Sequence, residues 1–434
     1  MKQDISLTNN NKLVNGTIQL TGSKSECNRA LIIGALSGGL VNVENISDAA
    51  DTVTLAHALE SVPIAIGSRE SETNDSVLKT QDLSLINIGP AGTAMRFLTA
   101  FLTLGTEEVI LTGSERMKQR PIGILVNALR AIGADITYEE QEGFPPLRIR
   151  GSFAQLSDTI SIKGDISSQY ITALLLIAAK LPLGLTLQIE GELTSRPYVE
   201  MTLAMLQQAG IRHQWDDNHI HIANQAFKQT SLYVEPDWSA ASYWYAIAAL
   251  ADEAELFLPG LTAYSLQGDS VITEIMANFG ITSQFKNGGV CLKKESKELV
   301  RKIFDMKSCP DLAQTVIVVC AALGHDATFT GLETLKIKET DRVKALQNEL
   351  AKIGVKLIEK GQVYKLDCSE KHIPQSVFIN TYDDHRMAMA FAPLALLIPE
   401  VAIEDYRVVE KSYPAFWEDL EKVGFSFKVK ASNH

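Results

Sequence analysis

Six stretches of the chain are apolar almost all round, with Ala-rich sequences and very few charged positions. A helix with no polar face has to be buried against other elements. The stretches that predict such helices read RALIIGALSGG, TAMRFLTAFLTLG, SQYITALLLIAAKLPLG, SAASYWYAIAALAD, DLAQTVIVVCAALGH and HRMAMAFAPLALL. The pattern therefore predicts six buried helices distributed along the whole sequence.

A second pattern recurs between these stretches: an amphipathic helix, a glycine that ends it, and a short strand. The joins read HALESVPIAI, NALRAIGADI, AMLQQAGIRH, EIMANFGITS, NELAKIGVKL and EDLEKVGFSF. Their marker residues are Pro63, Gly133, Gly210, Gly280, Gly354 and Gly424, at steps of 70, 77, 70, 74 and 70 residues. Such a regular step indicates internal duplication. We predict an α/β fold of six similar units, each with one buried and one half-buried helix among short strands.

Length and composition narrow the class of protein. With 434 residues the chain is long enough for two domains. Its formal net charge of −12 argues against a nucleic-acid binder held by a general basic field. Five scattered cysteines without a C-x-x-C pair are typical of free thiols in a reducing cytoplasm. Neither a secretory signal nor a membrane span is expected, because the start is polar and Lys180 and Pro182 interrupt the longest apolar run.

Polar residues concentrate where the buried helices begin, in GSKSECNR, GPAGTAMR, GDISSQY, EPDWSAAS, CPD and YDDHR. The first resembles the end of a nucleotide-binding P-loop, but Ser23 precedes Lys24 and Ile18 stands where that motif needs glycine. Free backbone N–H groups at a helix start, together with Lys24, Ser25 and Arg29, still favour an anion. If the six helix starts converge, we expect a site for a multiply charged anion.

Read in order, eight motifs resemble one family closely: GSKSECNRAL, AGTAMR, RMKQRPIG, SSQYITALL, SRPYVEMTL, PDLA, KIKETDR and YDDHRMAMA. They are similar to 3-phosphoshikimate 1-carboxyvinyltransferase, or EPSP synthase, from about Gly22 to Phe416. The resemblance implies a two-domain enolpyruvyl-transferase-like fold of six βαβαββ-type repeats, three per domain, that closes over the substrates. The expected domains are residues 21–237 and a discontinuous domain of residues 1–20 plus 238–434.

The activity that this resemblance implies is transfer of the enolpyruvyl group of phosphoenolpyruvate to the 5-hydroxyl of shikimate 3-phosphate. Phosphate leaves after addition and elimination through a tetrahedral intermediate, a step of chorismate and aromatic amino acid biosynthesis. The expected protein is a cytoplasmic monomer that needs no cofactor or metal and binds neither nucleic acid nor membrane. The herbicide glyphosate occupies the phosphoenolpyruvate site in this family, and Gly92 resembles the position that leaves it room.

Site residues follow from the resemblance, position by position. Asp311 resembles the base that takes the 5-hydroxyl proton, and Glu339 with Lys24 resembles the source of the proton for the enol carbon. The expected contacts of shikimate 3-phosphate are Lys24, Ser25, Arg29, Ser167, Ser168, Gln169, Ser195, Tyr198, Asp311 and Lys338. The expected contacts of phosphoenolpyruvate are Lys24, Gly92, Arg120, Gln169, Arg342, Arg386 and Lys411.

Two other functions remain open at this point. The first is the sister enzyme that transfers enolpyruvyl to UDP-N-acetylglucosamine, which shares the chemistry but differs in the AGTAMR and YDDHRM motifs. The second is a non-catalytic repeat protein that binds an anion, against which the presence of both Asp311 and Glu339 argues. The run Asp383-Asp384-His385 is not interpreted as a metal site, because no second histidine stands at ligand spacing.

Overall fold

The computed structural model describes residues 3–62, 84–151, 154–165, 167–297 and 299–431. Its helices are α1 (Lys24–Leu36), α2 (Ala50–Ser61), α3 (Gly92–Leu102), α4 (Glu115–Lys118), α5 (Gly123–Ala131), α6 (Ser168–Ala178), α7 (Arg196–Gln208), α8 (Trp238–Leu250), α9 (Ile272–Ala277), α10 (Ala313–Leu323), α11 (Arg342–Ala351), α12 (His385–Phe391) and α13 (Phe416–Lys422). Short 3₁₀ helices cover Gly268–Val271, Pro310–Leu312, Glu333–Ile337, Ala392–Leu396 and Tyr406–Lys411.

The strands are short and lie between these helices. They are β1 (Gln3–Thr8), β2 (Leu13–Thr17), β3 (Val41–Glu44), β4 (Ser84–Asn87), β5 (Glu108–Thr112), β6 (Asp135–Tyr138), β7 (Leu147–Arg150), β8 (Thr159–Lys163), β9 (Leu185–Glu190), β10 (Gln214–Asp216), β11 (His219–Ile222), β12 (Thr230–Tyr233), β13 (Glu253–Pro259), β14 (Ile281–Lys286), β15 (Gly289–Lys294), β16 (Ile303–Asp305), β17 (Ala327–Thr330), β18 (Lys356–Lys360), β19 (Val363–Asp367), β20 (Ser376–Ile379), β21 (Glu400–Ile403) and β22 (Ser426–Ala431).

Two compact units are formed by backbone contacts. The C-terminal unit comprises Met1–Lys24, Asn45–Ala50 and Glu235–His434, and the N-terminal unit comprises Ser25–Glu44 and Asp51–Val234. Within the C-terminal unit, Gly22 pairs with Pro236 in an isolated antiparallel bridge. The expected division into two domains of three repeats each stays a prediction.

One strand arrangement recurs in the sheets. In the order β4-β5-β7-β6, the first two strands are parallel and the remaining neighbours are antiparallel. The orders β8-β9-β11-β10, β2-β13-β15-β14, β16-β17-β19-β18 and β20-β21-β1-β22 repeat this arrangement, and β3 and β12 form a parallel pair. A buried helix joins the two parallel strands in four of these sheets, as α3 does between β4 and β5.

The apolar helices lie in the interior, as their sequences predict. Every described residue of α8 except Ser239 is buried, and all of α12 is buried. Helices α8, α10 and α12 pack on one another within the C-terminal unit, whereas α3, α6 and α7 pack in series within the N-terminal unit. The α/β architecture with buried helices is thereby confirmed, while the number of sequence repeats stays a prediction.

Glycines end the amphipathic helices at the predicted joins. Gly210 and Gly354 have φ values of 90° and 74°, in the left-handed region that costs glycine little. The first join, at Pro63, lies outside the described residues. One strand differs from expectation, because the chain runs irregularly after Gly210 and β10 begins only at Gln214.

No helix in the described part of the chain has the length and apolar character needed to cross a membrane.

Candidate active site

The N-terminal unit brings the starts of α3 and α6 together. Ser167 caps α6 by accepting from the backbone N–H of Gln169 at 3.4 Å, and the Gln169 Nε2 donates to Thr93 Oγ1 at 3.2 Å. Ser168, the first helical residue, is buried. Three predicted ligand residues, Ser167, Ser168 and Gln169, therefore lie at one helix start, where backbone N–H groups lack intrahelical partners.

Arg29 is buried in the same unit, on α1. Its Nε donates to Thr202 Oγ1 at 2.8 Å, its Nη1 to the Ser25 carbonyl at 2.6 Å and its Nη2 to the Tyr198 carbonyl at 3.3 Å. The guanidinium also faces the rings of Phe97 and Tyr198. Burial lowers the pKa of Arg29 to about 10, which the charges of Tyr198 and Glu26 partly oppose. These contacts connect α1 with α7, and the predicted contact of Arg29 with substrate stays a prediction.

Arg120 lies directly against Gly92. A Cβ atom at position 92 would be 2.5 Å from Arg120 Nη1 and 2.9 Å from its Cζ, so only a glycine leaves the guanidinium in place. The side chain is buried, and its Nε has no hydrogen-bond partner among the described residues. A buried cationic donor without a partner is costly unless a ligand satisfies it. This geometry favours an anion beside Gly92.

Two residues outside the predicted set hold the chain next to Arg120. Arg96 Nη2 donates to the carbonyl of Pro121 at 3.2 Å, and Tyr170 Oη donates to the same oxygen at 2.6 Å. Both stand inside quoted motifs, AGTAMR and SSQYITALL, so their positions were visible in the sequence. Their positioning role was not visible, because it depends on a turn made by another part of the chain.

Ser195 precedes α7 and has φ 53° and ψ 38°, a left-handed conformation that is uncommon for a residue with a Cβ. It is buried, and its carbonyl accepts from the N–H of Tyr198 at 3.1 Å. A strained residue of this kind persists only where the surrounding structure fixes it. The structure thus brings Ser195 and Tyr198 together, with Ser25 linked to them through Arg29.

The C-terminal unit contains a dense ion-pair network around Arg342, the first residue of α11. The Arg342 side chain is 2% exposed; its Nε donates to Asp384 Oδ2 at 2.7 Å and its Nη2 to Glu339 Oε2 at 2.8 Å. Its Nη1 donates to Asp311 Oδ1 at 3.3 Å. Burial opposes the charge on Arg342, but these three carboxylates outweigh it and raise its pKa.

Asp311 is also held by Arg386, on the neighbouring helix α12. Arg386 Nη2 lies 2.9 Å from Asp311 Oδ2, and Arg386 Nη1 donates to the Asp311 carbonyl and to Tyr243 Oη, both at 3.3 Å. The helix starts of α8, α10 and α12 therefore meet in this unit. The residues that join them are Ser239, Asp311 and Arg386.

The pKa of Asp311 departs strongly from its ordinary value. Burial alone would raise it, but the charges of Arg386, Lys338, Arg342 and Lys24 outweigh burial and hold the pKa of Asp311 well below its usual range. Lys338 lies 3.8 Å from Asp311 Oδ1, and burial lowers the pKa of Lys338. Asp311 is consequently a stable carboxylate as long as these cations face it.

Glu339 is shared in the same way between two cations. Its Oε1 lies 3.2 Å from Lys411 Nζ, while its Oε2 accepts from Arg342. We define the C-terminal cluster by its five cations and three carboxylates: Lys24, Lys338, Arg342, Arg386, Lys411, Asp311, Glu339 and Asp384. Its excess of positive charge suits ligands that carry phosphate and carboxylate groups.

Asp384 is the clearest residue that the sequence did not reveal. It is fully buried, caps α12 by accepting from the Arg386 N–H at 2.9 Å, and pairs with Arg342. In the sequence it stood inside the quoted motif YDDHRMAMA and in a run rejected as a metal site, without an assigned role. Among the described residues, no group of His, Cys, Asp and Glu side chains is arranged to hold a metal ion.

Solved structures with this fold define the class of protein. The fold matches an EPSP synthase from Acinetobacter baumannii at a TM-score of 0.74 and 20% identity, over 99% of this chain and 100% of that chain. It matches the enolpyruvyl transferase NikO from Streptomyces tendae at a TM-score of 0.73 and 15% identity, over 99% of both chains. The fold is therefore that of the enolpyruvyl transferases.

Sequence comparison identifies the family within that class. Residues 8–420 match the family of EPSP synthase (3-phosphoshikimate 1-carboxyvinyltransferase). The 3-phosphoshikimate 1-carboxyvinyltransferase of Bacteroides fragilis is 46% identical over 418 residues, which cover 96% of this chain and 97% of that protein. The enzyme of that name from Yersinia pestis is 36% identical over 421 residues, covering 95% and 96%. The chain belongs to the EPSP synthase family.

Proposed function

We propose that this protein transfers the enolpyruvyl group of phosphoenolpyruvate to the 5-hydroxyl of shikimate 3-phosphate and releases phosphate. Membership of the EPSP synthase family supports this reaction. The observation that carries the proposal at the level of residues is the pair of carboxylates, Asp311 and Glu339, held among five cations. A site that only bound an anion would have no use for two such carboxylates.

Binding of the substrates follows from charge and hydrogen bonding. Each substrate carries a carboxylate and a phosphate, and a phosphate has about −1.5 to −2 charges at neutral pH. The cations of the C-terminal cluster neutralise part of this charge, and the Nε of Arg120, which has no hydrogen-bond partner among the described residues, supplies a further donor. Ser167, Ser168 and Gln169 offer hydroxyl and amide groups to shikimate 3-phosphate.

Proton removal from the 5-hydroxyl is assigned to Asp311. Its low pKa makes it a weak base while Arg386, Lys338 and Arg342 face it. Anionic substrates compete for the same cations, and the pKa of Asp311 rises when their charge is shared. The carboxylate becomes a better base at the moment when both substrates are bound, which is when a base is needed.

The addition step transfers two protons and forms a C–O bond and a C–H bond. The 5-hydroxyl oxygen attacks C2 of phosphoenolpyruvate and gives its proton to Asp311, while the CH₂ carbon takes a proton that Glu339 and the Lys24 ammonium group supply together. The result is a tetrahedral intermediate with a methyl group. Elimination returns a proton from that methyl group to the Glu339–Lys24 pair, breaks the bond from C2 to the phosphate oxygen, and restores the double bond, while the leaving phosphate takes the proton held by Asp311. No net proton or electron is consumed by the protein.

Release of inorganic phosphate tests the proposed function. Purified protein should release phosphate when phosphoenolpyruvate and shikimate 3-phosphate are both present, and not with either one alone. Replacing shikimate 3-phosphate by UDP-N-acetylglucosamine should abolish the release. Phosphate release with the nucleotide sugar instead, or no release with any pair, would overturn the proposal.

A chelator provides the matching control for the expected independence from metal. Activity should be unchanged when the chelator is added, because the proposed steps use only side chains. Loss of activity that Mg²⁺ restores would contradict the assigned site. The expected monomeric state and cytoplasmic location stay predictions, and light scattering of the purified protein tests the first.

A further inference from the structure

A buried carboxylate lies behind Arg386 and has no role in the steps above. Asp269 belongs to the 3₁₀ helix Gly268–Val271 and is 4% exposed. Its Oδ2 accepts from Ser239 Oγ, and its Oδ1 has no hydrogen-bond partner among the described residues. A buried oxygen without a partner is costly for a carboxylate and much less so for a neutral carboxyl group.

Ser239 connects this carboxylate to the site. Arg386 Nη2 donates to Ser239 Oγ at 3.4 Å, and the same nitrogen lies 2.9 Å from Asp311 Oδ2. Ser239 can accept from Arg386 with its lone pairs while it donates its proton to Asp269. The guanidinium is thus held between Asp311 on one side and the Ser239–Asp269 pair on the other.

The surroundings of Asp269 favour its neutral form. Burial is the main cause that raises its pKa, to about 7, and the nearby charge of Asp311 adds to it. Arg386 and the hydrogen bond from Ser239 act in the opposite direction, and Asp237 is a further carboxylate nearby. Cys309 faces Asp269 as well, with its own pKa raised by burial, and Glu274 on α9 is exposed. Arg386 lowers the pKa of both Asp269 and Asp311, but Asp311 also faces Lys338, Arg342 and Lys24, so the two groups are held in different protonation states.

We infer that Asp269 is a positioning residue for Arg386, acting through Ser239, and that its charge state controls how strongly Arg386 binds the anionic group of phosphoenolpyruvate. This inference rests on the proposed function. When Asp269 is neutral, it does not compensate the charge of Arg386, and the guanidinium attracts an anion. When Asp269 is ionised, a second negative charge compensates the guanidinium and weakens that attraction.

The sign of the pH dependence follows from this arrangement. Affinity for phosphoenolpyruvate should fall as pH rises through about 7, where Asp269 loses its proton. The phosphate of the substrate is then already mostly dianionic, so its own titration does not explain a loss of affinity at higher pH. Binding at alkaline pH should instead be accompanied by uptake of a proton by the protein.

The test compares KM for phosphoenolpyruvate at about pH 6 and about pH 8.5 in the wild type and in three variants. Asp269→Asn keeps the shape of the side chain and removes its titration. Ser239→Ala removes the hydroxyl group that connects Asp269 with Arg386. Asp419→Asn is the control, because Asp419 is equally buried in the same unit but pairs with Tyr413 and Lys422. Calorimetry of phosphoenolpyruvate binding at alkaline pH, in two buffers of different ionisation enthalpy, measures proton uptake directly.

We compare the factor by which KM for phosphoenolpyruvate rises from about pH 6 to about pH 8.5. This factor should be at least about three times larger in the wild type and in Asp419→Asn than in Asp269→Asn. Ser239→Ala should move the rise to higher pH, because it removes a hydrogen bond that lowers the pKa of Asp269. Proton uptake should disappear in Asp269→Asn. An unchanged pH profile of KM in Asp269→Asn, or an equal loss of kcat at every pH, would overturn the inference.

If Asp269→Asn does not fold, Ser239→Ala and the proton uptake of the wild type still decide the matter. An unshifted profile in Ser239→Ala, or no proton uptake in the wild type, would also overturn the inference. Wild-type phosphate release at about pH 6 separates this test from the proposed function, because that activity does not depend on the titration of Asp269.

Discussion

The buried arginines of the two units have different kinds of hydrogen-bond partner. In the N-terminal unit, Arg29 donates to neutral oxygens, and Arg120 Nε has no partner among the described residues. In the C-terminal unit, Arg342 and Arg386 each face carboxylates at hydrogen-bonding distance. Neutral hydrogen-bond partners can orient a ligand, but they do not exchange protons with it. Carboxylates in a network of ion pairs can do so, and we therefore assign recognition of shikimate 3-phosphate mainly to the first unit and proton transfer to the second.

The largest expected effect comes from the carboxylate proposed as base. Asp311→Asn keeps the shape of the side chain and should lower kcat by about 10²- to 10⁴-fold, while shikimate 3-phosphate still binds. Steady-state kinetics and calorimetric titration measure the two effects separately. Asp305→Asn, an exposed carboxylate in the same unit, is the control. A variant Asp311→Asn that kept more than about a tenth of wild-type turnover would exclude Asp311 as the base.

The same comparison predicts a smaller and different effect in the N-terminal unit. Ser168→Ala should weaken binding of shikimate 3-phosphate by about 1.5–3 kcal/mol, the usual contribution of a hydrogen bond to a charged group. Its kcat should change little, because Ser168 takes no part in proton transfer. A large loss of kcat with unchanged affinity would show that recognition and chemistry are not divided between the units as proposed.

The loss in the free energy of unfolding should also differ between substitutions of Arg342 and of Arg120. Arg342→Met leaves the buried carboxylates Asp384, Asp311 and Glu339 without their shared partner, and should lower the free energy of unfolding by about 3–5 kcal/mol. Arg120→Met removes a buried arginine that forms no ion pair within the described part of the chain, and should change the free energy of unfolding by about 1 kcal/mol or less. Denaturant unfolding of the two variants measures both. Similar losses would mean that the ion pairs of Arg342 do not distinguish it from Arg120.

Sequence patterns were sufficient to predict the buried helices but not the ion pairs of the site. The buried helices were predicted because an apolar surface all round has only one stable location. The ends of these helices were less predictable. Pro310 begins a 3₁₀ turn directly before α10, and Pro393 lies in the 3₁₀ helix that follows α12. Arg342 was expected in the site, whereas its partner Asp384 was not, because 42 residues separate them. Asp269 was missed for the same reason.

Substitution of Gly92 should have an effect of intermediate size, confined to the binding of phosphoenolpyruvate and glyphosate. A methyl group at this position meets the Arg120 guanidinium, which must move away. Gly92→Ala should raise the inhibition constant of glyphosate by a larger factor than KM for phosphoenolpyruvate, because the inhibitor expected in this pocket is longer. Measuring both constants in both proteins decides this. Equal rises would mean that Gly92 acts only by displacing Arg120.

The last expected effect concerns stability and pH. The raised pKa of Asp269 means that the folded protein holds this proton more tightly than the unfolded chain does. The contribution of Asp269 to the free energy of unfolding is therefore lost as pH rises from about 4 to about 7. Asp269→Asn lacks this titration, so its Tm relative to the wild type should increase across the same range. A Tm difference that is independent of pH would show that Asp269 has the same pKa in both states.

Deuterium incorporation at C3 of phosphoenolpyruvate tests the central claim most directly. In D₂O, addition places a deuteron on the CH₂ carbon, and reversal returns labelled phosphoenolpyruvate, which NMR detects. We predict labelling in recovered substrate and in product, only when shikimate 3-phosphate is present. We also predict that Glu339→Gln loses this labelling, whereas Ser168→Ala keeps it at saturating substrate. Turnover without any label at C3, or undiminished labelling in Glu339→Gln, would contradict the proposed division between recognition and proton transfer.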